Sequence, residues 1–160
     1  MALCRDFFSP YPHMIPKQDF FVQLMRALNL RKSNDIVLYE QGYGWYAERT
    51  AFVFRAFGHK NVRVLDGQLK KWTAEGRPTE SHAEVANEDD FNYEHNGDAE
   101  MGFEEIVKAR DDGSVQHIDI RPAAMLTSIG KIPGTINMQT VDFYADDGRL
   151  KSKEDLAKMF

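Results

Sequence analysis

Ile36-Val37-Leu38-Tyr39-Glu40-Gln41-Gly42-Tyr43-Gly44-Trp45 is the stretch whose reading decides the fold. Its first four residues are apolar, and three of them are β-branched or aromatic. That is the pattern of a parallel strand buried on both faces. Two glycines then permit a sharp turn, and helical spacing starts at Ala47 and runs to Phe57. Ala47, Ala51, Phe54 and Phe57 fall in register, and Gly58 is placed as the stop. Strand, glycine-rich loop and helix in that order read as an α/β unit. Such units bind their ligands outside the carboxyl ends of the strands. The loop Gln41 to Trp45 is therefore where a catalytic group is sought. From Glu40 to Arg49 there is no Cys, Ser or Thr, so the loop offers no sulfur or hydroxyl nucleophile of those kinds.

Upstream, Pro10, Pro12 and Pro16 fall within seven residues and exclude a helix before Lys17. Phe20, Phe21, Leu24, Ala27 and Leu28 share one helical face, and the polar run Asn29 to Asn34 closes that helix. Downstream, Val62 to Leu65 reads as a second strand ended by Asp66-Gly67. A short helix from Gln68 to Glu75 follows, with Leu69 and Trp72 on one face and Gly76 and Pro78 as its end. Trp72 and Phe57 are expected to be buried against the two strands.

Residues 79–99 are acidic and weakly periodic, with Val85, Phe91 and Tyr93 as their apolar anchors, and read as a linker. Beyond them, Phe103, Ile106 and Val107 suggest an amphipathic helix ended near Gly113. Val115 to Asp119 reads as a strand, Arg121-Pro122 as a turn out of it, and Thr135 to Met138 as another strand. Ser152 and Asp155 have capping-box spacing at the start of a last helix, whose Leu156, Met159 and Phe160 are expected to face a core. No strand follows that apolar face, so it is expected to need a complement.

Composition narrows the function classes. At 160 residues and 42% hydrophobic content there is room for one domain or two small ones. No apolar run reaches membrane-spanning length, so the chain is not expected to be transmembrane. The opening residues show neither a signal-peptide core nor an Arg/Ser-rich transit pattern. One cysteine, Cys4, excludes an internal disulfide and suits a reducing compartment. Charge is uneven. Residues 1–79 hold 12 Lys/Arg against 7 Asp/Glu, residues 80–100 hold 8 acids and no Lys or Arg, and residues 101–160 hold 8 against 10. No basic stripe with interleaved aromatics appears, so nucleic acid is not an expected partner.

Six motifs in order carry a family likeness. Ser9-Pro10-Tyr11-Pro12-His13-Met14-Ile15-Pro16, Phe54-Arg55-Ala56-Phe57-Gly58-His59 and Val64-Leu65-Asp66-Gly67 with Trp72 resemble the first domain of the tandem rhodaneses. These are the thiosulfate and 3-mercaptopyruvate sulfurtransferases. Ile118-Asp119-Ile120-Arg121-Pro122, Lys131-Ile132-Pro133-Gly134 with Thr135-Ile136-Asn137, and Asp147 to Ser152 resemble the opening of the second domain. The resemblance implies an α/β fold, a rhodanese-like open parallel sheet flanked by helices. It implies that residues 1–78 are the back half of a first unit, 79–99 an acidic linker, and 100–160 the front half of a second. The units would then be incomplete or permuted halves.

The chemistry implied is persulfide transfer through a loop cysteine, held by backbone N–H groups that stabilise the thiolate. The matching loop Gln41, Gly42, Tyr43, Gly44, Trp45 is degenerate, as the family's first domain normally is. In the second half Asp119 and Arg121 match the family's turn. Met125 stands where a substrate-binding Arg is usual, and Lys131 where His is common. Asp119, Arg121, Met125 and Lys131 are thus read as a vestigial site, with no catalytic residue, no metal and no cofactor implied. Cys4 is read as an ordinary thiol, since it has no cradle of donors.

His13 is read as structural, and His59 as a charge complementing the end of its helix. The pair Asp119 and Arg121 is read as a salt bridge tying loop to strand. Glu88, Asp89 and Asp90 are read as solvated acid rather than a cation site. The cluster Tyr43, Trp45 and Tyr46 suits a core or a partner surface equally. The expected function is a degenerate, non-catalytic rhodanese-like subunit of a larger assembly, with other protein subunits as partners. A position peripheral to a membrane complex is compatible with this. The alternative is a partial chain of an active sulfurtransferase. The family likeness points to the mitochondrial matrix, and a cytoplasmic location stays open.

Overall fold

The computed structural model describes residues 5–42, 44–81 and 93–160. It divides into two compact units, residues 1–99 and 100–160. Most of the expected linker, including Val85, Glu88, Asp89, Asp90 and Phe91, lies outside the described residues. Its last part packs with the first unit through Tyr93, which is buried.

In the first unit, α1 (Gln18–Leu28) begins after the extended Lys17 and ends at Asn29, whose backbone is left-handed. Its buried positions are Phe21 and Met25, one turn apart. The face is therefore rotated from the expected one, with Ala27 and Leu28 in solvent. β1 (Ile36–Leu38) pairs in parallel with β2 (Val62–Val64), Ile36 opposite Val62 and Leu38 opposite Val64. Between them runs α2 (Trp45–Ala56), two residues longer at its start than its spacing suggested. It stops where Gly58 takes a positive φ of 75° and the His59 N–H reaches back to the Phe54 carbonyl at 2.9 Å. α3 (Gln68–Ala74) follows β2.

Aromatic packing holds these elements together. Phe21 stacks on Phe57 with centroids 4.1 Å apart, and meets Phe54 and Tyr93 edge-on at 5.6 and 5.2 Å. All three phenylalanines are fully buried. The strand expected to be buried on both faces is not: Val37 is 53% exposed and Tyr39 58%. Only the face carrying Ile36 and Leu38 meets the core, because β1 and β2 form a two-stranded sheet with α1 and α2 as its apolar cover. Trp72 is also only half-buried. Its indole N–H donates to the Pro78 carbonyl at 2.8 Å, and the Arg77 guanidinium lies over its ring.

The second unit holds α4 (Phe103–Asp112), β3 (Ile118–Asp119), α5 (Ala123–Ile129), β4 (Ile136–Asn137) and α6 (Lys153–Ala157). β3 and β4 are parallel, with Ile118 opposite Ile136. The strand expected over Val115 to Asp119 is shorter than that, and α5 lies where the sequence analysis assigns no element. Its seven residues are too few for a clear period, and its start depends on the Gln139 side chain accepting from the Ala123 N–H at 2.9 Å. Ser152 caps α6, accepting from the Asp155 N–H at 3.1 Å. Phe160 does not face a core: it is 66% exposed. Among the described residues, the buried apolar side chains of this unit are Ala109 and Met138.

Candidate functional site

Two loops at strand carboxyl ends are the places where this fold can hold chemistry. The first follows β1. Glu40 is tied to the next α/β turn on both sides of its backbone: its N–H donates to Gln68 Oε1 at 3.0 Å, and its carbonyl accepts from the Leu69 N–H at 3.2 Å. Its carboxylate turns inward and accepts from the Gly44 N–H at 2.6 Å, just ahead of α2. Gly44 has φ 91°, and a Cβ there would sit 2.9 Å from Gln68 Nε2, so glycine is needed on both counts. The donor that opens the helix is thus satisfied by a side chain of the same loop. Gln41 and Gly42 are exposed, Trp45 and Tyr46 about half exposed, and Tyr43 lies outside the described residues.

The second loop follows β3. Asp119 and Arg121 form a forked ion pair, Arg121 Nε to Asp119 Oδ1 at 2.9 Å and Arg121 Nη2 to Oδ2 at 2.6 Å. The guanidinium also donates to the Gly130 carbonyl at 2.9 Å, joining the start and the end of the α5 segment. The Arg121 hydrogen bond holds the Asp119 carboxyl below the usual carboxylate range, and Asp119 in turn pushes Arg121 up. Asn137, which sequence reasoning did not single out as a site residue, secures the turn. Its Nδ2 donates to the carbonyls of Asp119 and Arg121 at 2.7 and 2.9 Å. Lys131 Nζ donates to the Thr135 carbonyl at 2.9 Å, and Met125 projects from α5, 40% exposed.

Asp119, Arg121 and Lys131 line one cleft of about 840 Å³, with Ile118, Ile129 and Ile132 among its apolar walls. Met125 does not line it. Arg110 lines it as well, and all three cations have partners: Arg110 is paired with Asp111, Arg121 with Asp119, and Lys131 with the Thr135 carbonyl; the lining has no thiol. As arranged it can hold a turn in shape and accept apolar surface. Its lining includes the His117 imidazole, whose buried Nε2 has no hydrogen-bond partner among the described residues, and the Thr135 hydroxyl, which donates to the Ile132 carbonyl.

The remaining candidates are structural. His13 takes a positive φ of 64°, and its carbonyl accepts from the Arg49 guanidinium. His59 is not an exposed charge at a helix end. It is buried, with Nε2 2.9 Å from the Asn34 carbonyl oxygen and Nδ1 3.2 Å from the Tyr93 hydroxyl, which also donates to the Leu30 carbonyl. Burial pushes the Tyr93 phenol up to about 12. This polar pin joins segments 34 residues apart, so no local pattern foretells it. Cys4 lies outside the described residues. Among the described residues, no three His, Cys, Asp or Glu side chains converge as a metal site requires. No described helix is long and apolar enough to cross a membrane.

The 3-mercaptopyruvate sulfurtransferase SseA of Escherichia coli has a crystal structure that superposes on 99% of this chain with a TM-score of 0.90 at 29% identity, using 63% of its own length. The fold is the rhodanese fold. A model of the rhodanese-like domain matches residues 7–75. Thiosulfate sulfurtransferase of Gallus gallus is 31% identical over 167 residues, covering 98% of this rhodanese-like chain and 58% of the relative. 3-Mercaptopyruvate sulfurtransferase of Escherichia coli strain K12 is 29% identical over 165 residues, with 97% and 58% covered. The chain thus spans somewhat under three fifths of the curated relatives it matches.

Proposed function

We propose that these 160 residues are a non-catalytic rhodanese-like subunit: a sulfurtransferase scaffold that binds protein partners and does not transfer sulfur itself. The observation that carries this reading is the cleft after β3, whose lining has no thiol and whose Arg121 is forked onto Asp119. The loop after β1, which is normally degenerate in the family's first domain, holds Gln41 and Gly42, and its Gly44 N–H is taken by the Glu40 carboxylate. A persulfide needs a thiolate and donors around it, and that loop has no Cys. Met125 adds support, since it stands where the family usually has a substrate-binding Arg and supplies no cation for an anionic substrate. Partners would be other polypeptides, and the proposed location of the assembly is the mitochondrial matrix. The test is thiosulfate-to-cyanide transfer by the purified chain. The expected rate equals that of a Cys4→Ser control, and turnover above that control removes the proposal.

A second reading is favoured by the span of the match, 58% of the chicken relative. On it, these residues are part of a longer active sulfurtransferase whose cysteine loop lies elsewhere. Intact mass of the native protein separates the two: a mass near 18.4 kDa favours the first, and a markedly larger one the second.

A further inference from the structure

Asn96-Gly97 is the one place in the sequence where a glycine follows an asparagine. An asparagine side chain can be attacked by the backbone nitrogen of the next residue, and a glycine there has no Cβ to crowd the approach. Both residues are exposed. Among the described residues, neither the Gly97 N–H nor Asn96 Nδ2 has an acceptor. Asn96 Oδ1 accepts from the Asp98 N–H at 3.1 Å. The other described asparagines are held or crowded. Asn29 is buried, and Asn34 Oδ1 accepts from the Arg31 N–H. Asn61 precedes the β-branched Val62, and Asn137 Nδ2 donates to two carbonyls.

We propose that Asn96 is a site of spontaneous backbone modification in the folded chain, a slow one-way change that consumes one water. The Gly97 nitrogen gives its proton to water and attacks Asn96 Cγ. The N–Cγ bond forms, the Cγ–Nδ2 bond breaks, and Nδ2 takes a proton and leaves as ammonia. The product is a five-membered cyclic imide. Water opens it at either carbonyl, leaving aspartate, or isoaspartate with the backbone rerouted through the side chain. Nothing is oxidised or reduced. The Asp98 N–H already on Oδ1 stabilises that oxygen as it turns anionic during the attack.

The position decides what the change does. Upstream, Tyr93 is buried, the His95 N–H donates to Gln18 Oε1 at 3.2 Å, and the Asn96 N–H donates to the Ala56 carbonyl at 2.6 Å. These contacts precede the altered atoms and persist. Downstream, the Asn96 carbonyl and Oδ1 are the acceptors that shape the 3-10 turn Gly97–Ala99, and isoaspartate exchanges them. A further negative charge also joins Glu94, Asp98 and Glu100. The turn therefore loosens and frees Ala99, which packs against the core of the first unit, while Tyr93 stays in place.

The test incubates the folded, full chain in warm, mildly alkaline buffer and follows intact mass and peptide maps. The expected result is a gain of one mass unit located at Asn96, with isoaspartate, read by isoaspartyl methyltransferase, exceeding aspartate. Gly97 has no positive φ, and a Cβ on it would meet nothing within 4 Å. Gly97→Ala should therefore fold like the parent by circular dichroism and slow the gain severalfold. In the modified chain, amide exchange should quicken at Ala99 and stay slow at Asn96. No gain at Asn96 in the folded chain, an earlier gain at another asparagine, or a Gly97→Ala chain that gains at the parental rate would each overturn the site. Unchanged exchange at Ala99 would overturn the loosening.

Discussion

Asp119 and Arg121 show how much a two-residue spacing can disclose. A carboxylate and a guanidinium that close together, at the end of a strand, find each other across a tight turn, and the fork between them is present. The carboxyl should titrate below the usual carboxylate range, as read by side-chain carbon shifts, and Arg121→Ala should raise it. Because the folded pKa is depressed, this group's contribution to stability is in place above the ordinary carboxylate pKa. It is lost as pH falls through the lower folded value. An Asp119 titrating in the ordinary range would contradict the pair. Tyr93 has the opposite sign. Its raised pKa of about 12 means that its share of stability is complete below about 10 and lost as pH climbs toward 12. Absorbance titration should show one phenol ionising late, with unfolding alongside it, and Tyr93→Phe should remove that late phenol. The partnership of Tyr93 with His59 was hidden from sequence reasoning because neither residue is near the other along the chain.

At the scale of elements, periodicity found α2 because its buried positions are many and regular. It misplaced the face of α1, where Phe20, Phe21, Leu24, Met25, Ala27 and Leu28 allow more than one stripe and tertiary contact with Phe54 and Phe57 chose the one through Phe21 and Met25. It passed over α5, whose start rests on Gln139, sixteen residues away. Phe57 and Trp72 looked alike in sequence and differ in the fold. Phe57→Ala should cost about 3–5 kcal/mol, since a fully buried ring leaves a cavity. Trp72→Ala, at a partly buried site, should cost about 1–2 kcal/mol. Urea unfolding compares them, and equal losses would mean that Trp72 is packed as tightly as Phe57.

For the molecule as a whole, the order of motifs was the most legible feature. It implied a rhodanese-like α/β architecture, which the superposition on the bacterial 3-mercaptopyruvate sulfurtransferase structure bears out. What the motifs did not convey is how thin the second core is, because burial depends on what surrounds a segment and not on its own apolar content. The loop after β1 keeps its strand, its glycine turn and its helix while the Glu40 carboxylate takes the Gly44 N–H, and the proposed reading is that the fold persists here without the chemistry. The most direct test of that claim is the intact mass of the chain after incubation with thiosulfate or 3-mercaptopyruvate. The account predicts no gain of a sulfur atom beyond what a Cys4→Ser chain shows under the same conditions. A stable gain of one sulfur that disappears in Cys4→Ser would contradict it.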